Sequence, residues 1–336
     1  MSLLDTESVR APGSTHPRGR WTRPGSIEAI AFIVIAVVLA RGWLLDLIDS
    51  ARALTLVTVF VSIMVQSLPF LVLGTILSAA ITAFVPTRFF ERALPRNQAA
   101  AVPVAGAAGA LLPACECGSV PVAGALMRRG VAPAAALTFL LASPAINPVV
   151  LVATAVAFPG QPSMVLARFA ASLITAVVMG WLWLRLGRPG WLRPTRAHDP
   201  HTDRGWSAFW ESCRHDLVQA GGFLVIGAFA AATLNVTVPP RWLEVIADNP
   251  VLSVIALALL AVLLSICSEA DAFVAASLTQ FSLTARLAFL VVGPMVDLKL
   301  FAMQVGSFGP RFATRFAPAT FVVAVAVSVL VGWVLL

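Results

Sequence analysis

Two thiols flank a carboxylate in the sequence Cys115-Glu116-Cys117. A Cys-x-Cys pair can bring two soft sulfur ligands to one centre, and such ligands favour Cu(I), zinc or thiophilic species such as trivalent arsenic. A third cysteine, Cys267, lies in a similar apolar setting. If the two segments meet, Cys115, Cys117 and Cys267 form a three-thiol cluster, which we predict as a metal site. The alternative is that each cysteine is a small buried apolar side chain.

Five ionisable side chains lie inside long apolar segments, where a charge at the centre of a membrane helix costs about 2.5–3.5 kcal/mol. They must be paired, hydrated or protonated, and such residues mark functional sites by default. Asp297 and Lys299 form either a structural ion pair or a relay for protons or substrate. Glu116 and Glu269 each follow a predicted helix break that substrate could reach. The five residues are Glu116, Glu269, Asp271, Asp297 and Lys299.

Ser143 and Asn147 lie in a proline-flanked break with the sequence Ser-Pro-Ala-Ile-Asn-Pro over residues 143–148. Proline removes a helix donor and clashes with the preceding turn, so the break frees backbone groups that a transporter can direct at its substrate. By contrast, Arg168 opens an apolar segment, and we expect its side chain to reach toward the membrane interface. The predicted substrate-binding set is therefore Cys115, Glu116, Cys117, Ser143, Asn147, Cys267, Glu269, Asp271, Asp297 and Lys299.

Membrane helices are the elements that must position these residues. Of the 336 residues, 59% are apolar and only 12% are charged, against about 25% charged in a soluble domain. Several apolar segments reach the ~20 residues that cross a ~30 Å hydrocarbon layer. The composition excludes a water-soluble globule and predicts an all-α polytopic membrane protein.

The net charge of +7 comes almost entirely from arginines between the apolar segments, since Lys299 is the single lysine. This distribution is typical of cytoplasmic membrane loops and argues against a nucleic-acid partner. The sequence contains no Gly-Lys-Ser/Thr phosphate-binding loop and no catalytic triad. We therefore predict a protein that is not an enzyme and has no cofactor. Any transport would be driven by a gradient or by a separate subunit.

The chain contains an internal duplication. Residues 65–74 match residues 218–227 in the pattern Val-Gln-x-x-x-Phe-Leu-Val-x-Gly, and the same spacing aligns Glu116 with Glu269. After a three-residue contraction, the break at Asn147 aligns with Asp297. The shared spacing of Gln, Pro, Arg and Glu residues argues against coincidence.

We predict five regions along the chain. They are a disordered cytoplasmic tail (1–26), a first transmembrane span (27–48), permease repeat 1 (54–186), an Arg-rich cytoplasmic linker (187–206) and permease repeat 2 (207–336). Each repeat contains four apolar segments, predicted at 54–83, 99–127, 131–158 and 163–186, and at 212–235, 251–279, 286–308 and 316–336.

Charge predicts how the broken segment 99–127 runs. If it crosses the membrane fully, Arg128, Arg129 and the Arg-rich linker lie outside; if it is a re-entrant hairpin, they face the cytoplasm, which the positive-inside rule favours. Each repeat then has three full spans, one of them discontinuous, plus a hairpin. An odd number of spans inverts the second repeat, as in many secondary transporters. The alternative is nine spans with parallel repeats.

Three sequence patterns resemble the bacterial two-repeat predicted permease family, which includes organoarsenical efflux permeases. They are Pro113-x-Cys115-x-Cys117-Gly118-x-x-Pro121-Val122 with the break at 139–148, the segment 267–276, and Gly293-Pro294-Met295-x-Asp297-x-Lys299. The resemblance covers about residues 54–336. It implies a plasma-membrane permease, and in members similar to arsenical exporters the arsenic-binding thiols correspond to Cys115 and Cys117.

We therefore predict an inner-membrane permease with a cytoplasmic N-terminus, which exports a small soft or anionic solute such as a metal or metalloid species. Two alternatives remain: a non-transporting membrane subunit that anchors a partner through the linker, and a membrane thiol-redox protein that uses Cys115 and Cys117. The predicted partners are the solute and the lipid bilayer, and a homo-oligomer stays open.

Overall fold

A computed structural model describes residues 51–111, 115–192, 205–237 and 249–336. Every regular element in these ranges is helical, which confirms the all-α class. The predicted tail 1–26, the predicted first span 27–48 and residues 193–204 of the linker lie outside the described residues. The helices are α1 (Ala51–Phe84), α2 (Thr87–Ala93), α3 (Gln98–Gly109), α4 (Glu116–Arg128), α5 (Pro133–Ile146), α6 (Pro148–Ala157), α7 (Pro162–Leu186), α8 (Trp206–Thr237), α9 (Pro250–Leu264), α10 (Ser268–Ser277), α11 (Leu283–Val292), α12 (Leu298–Phe308) and α13 (Pro310–Leu335).

Five helical segments in the described ranges are long and apolar enough to cross a membrane. They are Ala53–Phe84, Pro133–Ala157, Pro162–Leu186, Trp206–Leu234 and Pro310–Leu335. The last segment begins at Pro310, six residues before the predicted start at residue 316. Arg315, at the predicted start of this segment, is exposed and stacks on Trp191, with 4.4 Å between its guanidinium carbon and the ring centroid.

The predicted break at 143–148 is narrower in the structure. Helix α5 continues through Pro144 and ends at Ile146, and Asn147 is extended with ψ of 156°. The residue before a proline is disfavoured in helical conformation, so Pro148 explains why the backbone leaves the helix at Asn147. The Asn147 side chain then accepts a hydrogen bond from the Val150 N–H at 2.9 Å and caps α6.

Asp297 has the same local role in the second half of the chain. It precedes α12, and its carboxylate accepts a hydrogen bond from the Leu300 N–H. The five residues 293–297 separate α11 from α12, so these two short helices form a discontinuous segment like α5 and α6. Asn147 and Asp297, which the duplication aligns, are thus both N-caps of a broken helix.

The short helices pack across the two halves of the chain. Helix α4 contacts α12, and α6 contacts α10. Around them, α7 packs on α13, where Trp183 lies edge-on to Phe312 with 5.5 Å between the ring centroids. A continuous apolar core drawn from both halves surrounds the broken helices.

Two glycines let long helices approach the short ones. Gly74 of α1 lies directly against Gly118 of α4. Gly227 of α8 lies against α12, where a Cβ would be 2.7 Å from the Lys299 Cα. Because real Cβ atoms do not approach backbone this closely, a side chain at either position would push a broken helix away.

We expect Gly227→Ala to lower the free energy of unfolding by about 1–3 kcal/mol, since overpacking displaces α12 and Lys299. Gly222→Ala is the matched control on the same helix, because no atom lies within 4 Å of a Cβ there. That control should be neutral or stabilising by up to about 1 kcal/mol. Thermal unfolding of the purified protein in detergent measures both variants, and equal midpoints would contradict the close packing of α8 on α12.

Candidate functional site

Three helix N termini meet in the interior. Glu116 is the first residue of α4, Ser268 the first of α10 and Lys299 the second of α12, and their side chains are in contact. The end of α9 joins them, because the Ser265 hydroxyl accepts a hydrogen bond from the Leu298 N–H at 3.2 Å. Free N–H groups at helix N termini carry partial positive charge, so this point favours negative charge.

A buried ion pair joins the two halves at this point. The Lys299 Nζ lies 2.9 Å from the Glu116 Oε1, and each side chain is only 1% exposed. The Asp297 Oδ2 lies 3.5 Å from the same ammonium. These contacts pair three of the five charges predicted for the site, which is what burial in an apolar interior requires.

Ser268 links this ion pair to a second cation. Its hydroxyl donates a hydrogen bond to the Glu116 Oε2 at 3.2 Å, and its carbonyl accepts one from Arg168 at 3.0 Å. Arg168 also donates to the Thr154 hydroxyl at 2.7 Å. A single network therefore connects α4, α6, α7, α10 and α12.

The expectation that Arg168 reaches toward the membrane interface is wrong, since its side chain is fully buried. It is the seventh residue of α7, which begins at Pro162. At about 1.5 Å per residue it therefore lies ~9 Å inside the helix. The sequence prediction took Arg168 for one of the first residues of the segment and so overlooked this depth. Ser268 was missed because neutral polar residues were selected only at the proline-flanked break 143–148, although Ser268 lies between Cys267 and Glu269.

Asp271 is buried beside the network, and its Oδ2 has no hydrogen-bond partner among the residues that the structure describes. The carboxylate fits against Gly293, where a Cβ would crowd it. The charges of Arg168 and Lys299 act on it. We call Glu116, Arg168, Asp271, Asp297 and Lys299 the central charge cluster.

The central charge cluster contains one more carboxylate than cations, because three acids face Arg168 and Lys299. Glu269, on the same turn of α10 as Asp271, is half-buried, and Glu116, Arg168 and Lys299 act on its charge. An unbalanced buried carboxylate is costly. The cluster can therefore take up a proton or a positively charged group.

Three of the four cysteines lie next to this cluster. Cys115 and Cys267 precede α4 and α10, and all the cysteines are buried and free. Cys115 and Cys117 flank Glu116, and Cys267 directly precedes Ser268. In the described ranges, no group of three or more His, Cys, Asp or Glu side chains is placed to hold a metal ion. Metal binding by the three thiols stays a prediction from the sequence.

Ser143 and Asn147 are both buried, Ser143 in the last turn of α5 and Asn147 at the break between α5 and α6. The Asn147 amide donates to the Ser143 carbonyl at 3.2 Å while its oxygen caps α6, so capping fixes the side chain. A substrate contact by either residue stays a prediction.

A small cavity of about 50 Å³ lies between α4, α8 and α12. Arg128 and Asp216 line it and form an ion pair at 2.9 Å, and the Ser78 hydroxyl donates to the same Asp216 oxygen at 2.6 Å. Helices α4 and α12 carry this cavity near their C-terminal ends and the Glu116–Lys299 pair at their N termini. The Glu116–Lys299 pair and the cavity therefore lie toward opposite ends of α4 and α12.

The chain is similar to proteins described as permeases. The sequence model of the family described as "predicted permease" matches residues 52–333. A protein of Streptococcus mutans, named as a subunit of a two-component membrane permease complex, is 32% identical over 290 residues, which cover 84% of this chain and 96% of that protein. The protein YcgR of Bacillus subtilis is 36% identical over 295 residues, which cover 83% of this chain and 97% of YcgR. No solved structure matches the chain.

We expect Arg168→Gln to lower the free energy of unfolding by about 3–5 kcal/mol, because it removes two charged hydrogen bonds and leaves Asp271 without its nearby cation. Arg315→Gln on α13 is the matched control. It loses one exposed cation–π contact, at a cost of about 0.5–1 kcal/mol. Thermal unfolding in detergent compares the two, and equal losses would argue against a structural network around Arg168.

Proposed function

This chain belongs to the predicted permease family, and from that premise we propose that it is a gradient-driven permease of the inner membrane. The five apolar helices in the described ranges and the family together support a multi-pass membrane protein of the transporter class. The observation that carries the proposal is the buried Glu116–Lys299 pair, which holds the two halves together where broken helices begin. Secondary transporters bind solutes at such helix breaks near the membrane midplane.

The contacts of α3 support a re-entrant hairpin for segment 99–127. Gly109 at the end of α3 lies against Ala142 and Ser143 near the end of α5. Ala101 near the start of α3 shares an apolar cluster with Val131, just before α5. Helix α3 therefore runs in the same direction as α5, and α4 runs back from the end of α3 toward the start of α5.

Contacts of the long helices support inverted repeats. Thr138 of α5 lies against Gly180 near the end of α7, and Thr284 at the start of α11 lies against Gly332 near the end of α13. The end of α7 packs on the start of α13 through Trp183. Helices α5 and α11, which hold equivalent places in the two repeats, thus start at opposite ends of the molecule.

The ends of the molecule differ in charge. Arginines gather where α3 starts and α7 ends, and the positive-inside rule assigns that end to the cytoplasm. The arginines at this end include Arg92, Arg96, Arg128, Arg129 and Arg185. The cavity that Arg128 and Asp216 line then lies between the cytoplasm and the central charge cluster.

The chemistry around the central charge cluster supports a class of solute. Three thiols favour a soft, thiophilic species, and the helix N termini with Lys299 and Arg168 favour a negative or electron-rich one. A small metal or metalloid species meets both conditions. The surplus carboxylate supplies a place for a coupled proton, which would let a proton gradient drive export.

The relative from Streptococcus mutans favours a second candidate function, because its name describes a subunit of a two-component membrane permease complex. In that case this chain anchors a partner protein through the Arg-rich linker 187–206. Stoichiometric copurification of a partner, with no solute movement by the chain alone in liposomes, would favour this function. A reversible disulfide between Cys115 and Cys117 in the isolated protein would favour thiol-redox chemistry instead.

In everted vesicles, we expect Cys115→Ser to reduce uptake of trivalent arsenicals at least about tenfold, because even loss of a residue that only supports a metal ligand costs about 10–100-fold in affinity. Glu269→Gln should reduce uptake as well, because it removes a carboxylate beside the central charge cluster. Cys213→Ser is the matched control, since Cys213 packs away from the site with Ala79 and Phe209. Equal uptake of arsenicals and other candidate metalloids by the wild type and both site variants would sink the site assignment.

Labelling from one side of the membrane tests the inverted repeats. The native cysteines are buried, so the wild type should not react with a membrane-impermeant maleimide. Arg129→Cys before α5 and Gln280→Cys before α11 occupy matching turns of the two repeats. We expect the reagent to label Arg129→Cys only in everted vesicles and Gln280→Cys only in intact cells. Labelling of both from the same side would mean that the repeats are parallel.

A further inference from the structure

An ion pair between the two halves of the chain lies at the arginine-rich end, away from the central charge cluster. Arg128 ends α4, and its guanidinium lies 2.9 Å from the Asp216 carboxylate on α8, with the two side chains only 21% and 9% exposed. The Ser78 hydroxyl on α1 donates to the same carboxylate oxygen at 2.6 Å and accepts a hydrogen bond from Arg128 at 3.1 Å. Three helices are therefore joined at one point through polar side chains.

The two long helices α1 and α8 also meet at a second position, which the duplication relates to the first. The register that matches residues 65–74 with 218–227 aligns Ser78 with Ala231 and Asp216 with Ile63. Ile63 of α1 and Ala231 of α8 are buried in one apolar cluster, roughly 22 Å along α1 from Ser78 at about 1.5 Å per residue. The two helices thus repeat one contact, with apolar side chains at one end and a charged group at the other.

Stability does not explain this difference between the two contacts. Apolar side chains in place of a buried ion pair are often neutral or stabilising, because burial takes water away from the charges. A charged pair adds the ability to separate, since Arg128 already reaches solvent and both groups regain water when they part. The ion pair therefore points to a contact that breaks and forms again.

Polar groups lead from this ion pair toward the central charge cluster. Arg128 and Asp216 line the cavity of about 50 Å³ together with Ser307 of α12. On the same helix, between Ser307 and Lys299, Gln304 is only 1% exposed, and its amide oxygen has no hydrogen-bond partner among the residues that the structure describes. A buried polar atom without a partner is costly, so a conformation that lets water in along α12 would gain a hydrogen bond there.

We propose that Arg128, Asp216 and Ser78 form a cytoplasmic gate, and that separation of the ion pair opens the space between α4, α8 and α12 to the central charge cluster. This inference rests on the proposed permease function. Transporters with inverted repeats work by movement of one repeat against the other. Such a movement must break a contact between α4 of the first half and α8 of the second, so this ion pair opposes opening.

The test is the rate at which a small, membrane-impermeant methanethiosulfonate with a trimethylammonium group modifies the cysteines beside the central charge cluster. All variants carry Cys213→Ser, because Cys213 lies on the same helix as Asp216 and only three residues before it. The reporters are then the buried cysteines Cys115, Cys117 and Cys267. Mass spectrometry follows their modification in everted vesicles, which expose the cytoplasmic face, and in intact cells, which expose the other face.

The first gate variant is Asp216→Asn, which keeps the shape of the side chain and removes its charge. Glu211→Gln is the matched control, because Glu211 lies on the same helix and pairs with Arg214 at 3.4 Å, where both side chains are exposed. Ser78→Ala is a second gate variant. It leaves no charge unpaired, so it tests the gate even where Asp216→Asn fails to fold.

In everted vesicles, we expect Asp216→Asn to react about tenfold faster than Glu211→Gln, because a charge-assisted hydrogen bond no longer holds the halves together. Ser78→Ala, which loses one hydrogen bond, should react about threefold faster than the control. The rates in intact cells should not change. Equal rates for the gate variants and the control in everted vesicles would overturn the proposal. An equal rise from both faces would also overturn it, since a general loosening of the fold gives that result.

Thiol modification also separates the gate from the proposed function, because it needs no transported solute. Unchanged modification rates in a protein that takes up arsenicals would reject the gate and keep the permease. Faster modification in a protein that moves no solute would support the gated path and count against the permease.

Discussion

The structure depends on one constraint, the cost of holding ionised groups inside an apolar interior. An uncompensated charge there costs several kcal/mol, so each must be neutralised by a group that only the fold can bring near. The Glu116–Lys299 pair joins residues 183 positions apart in the sequence, with 2.9 Å between the Lys299 Nζ and the Glu116 Oε1. The close helix packing and the shared N termini bring this pair together, and the function proposed for the chain uses the surplus carboxylate of the central charge cluster.

Several local features serve the same constraint. The breaks before α6 and α12 expose helix N termini, whose free N–H groups stabilise the carboxylate of Asp297 and the amide of Asn147 by capping. Gly227 allows the Lys299 backbone to approach α8, and Gly293 leaves room for the Asp271 carboxylate. Because glycine has no side chain, these two positions leave space for charged groups that a larger residue would exclude.

Apolar length and proline position were enough to predict the helical class, most membrane helices and the paired breaks, because these are local properties. Rare acids and the single lysine in apolar segments correctly marked the interior, since burial of charge is costly wherever the chain folds. The pairing of Glu116 with Lys299 and the role of Arg168 could not be predicted, because they depend on which helices pack together. The start of α13 was predicted six residues too late, at residue 316 instead of Pro310. An exposed arginine such as Arg315 can lie in the first turns of a membrane helix.

The central claim is that Glu116 and Lys299 interact directly and hold the halves of the protein together. A double-mutant cycle measures this interaction, using Glu116→Gln, Lys299→Met and the double variant, with the free energy of unfolding in detergent as the readout. The account predicts that the double variant loses about 2–3 kcal/mol less free energy of unfolding than the two single variants lose in sum, which is the upper part of the range for contacting residues. Additive losses would contradict the claim and would leave the two charges as separately solvated groups.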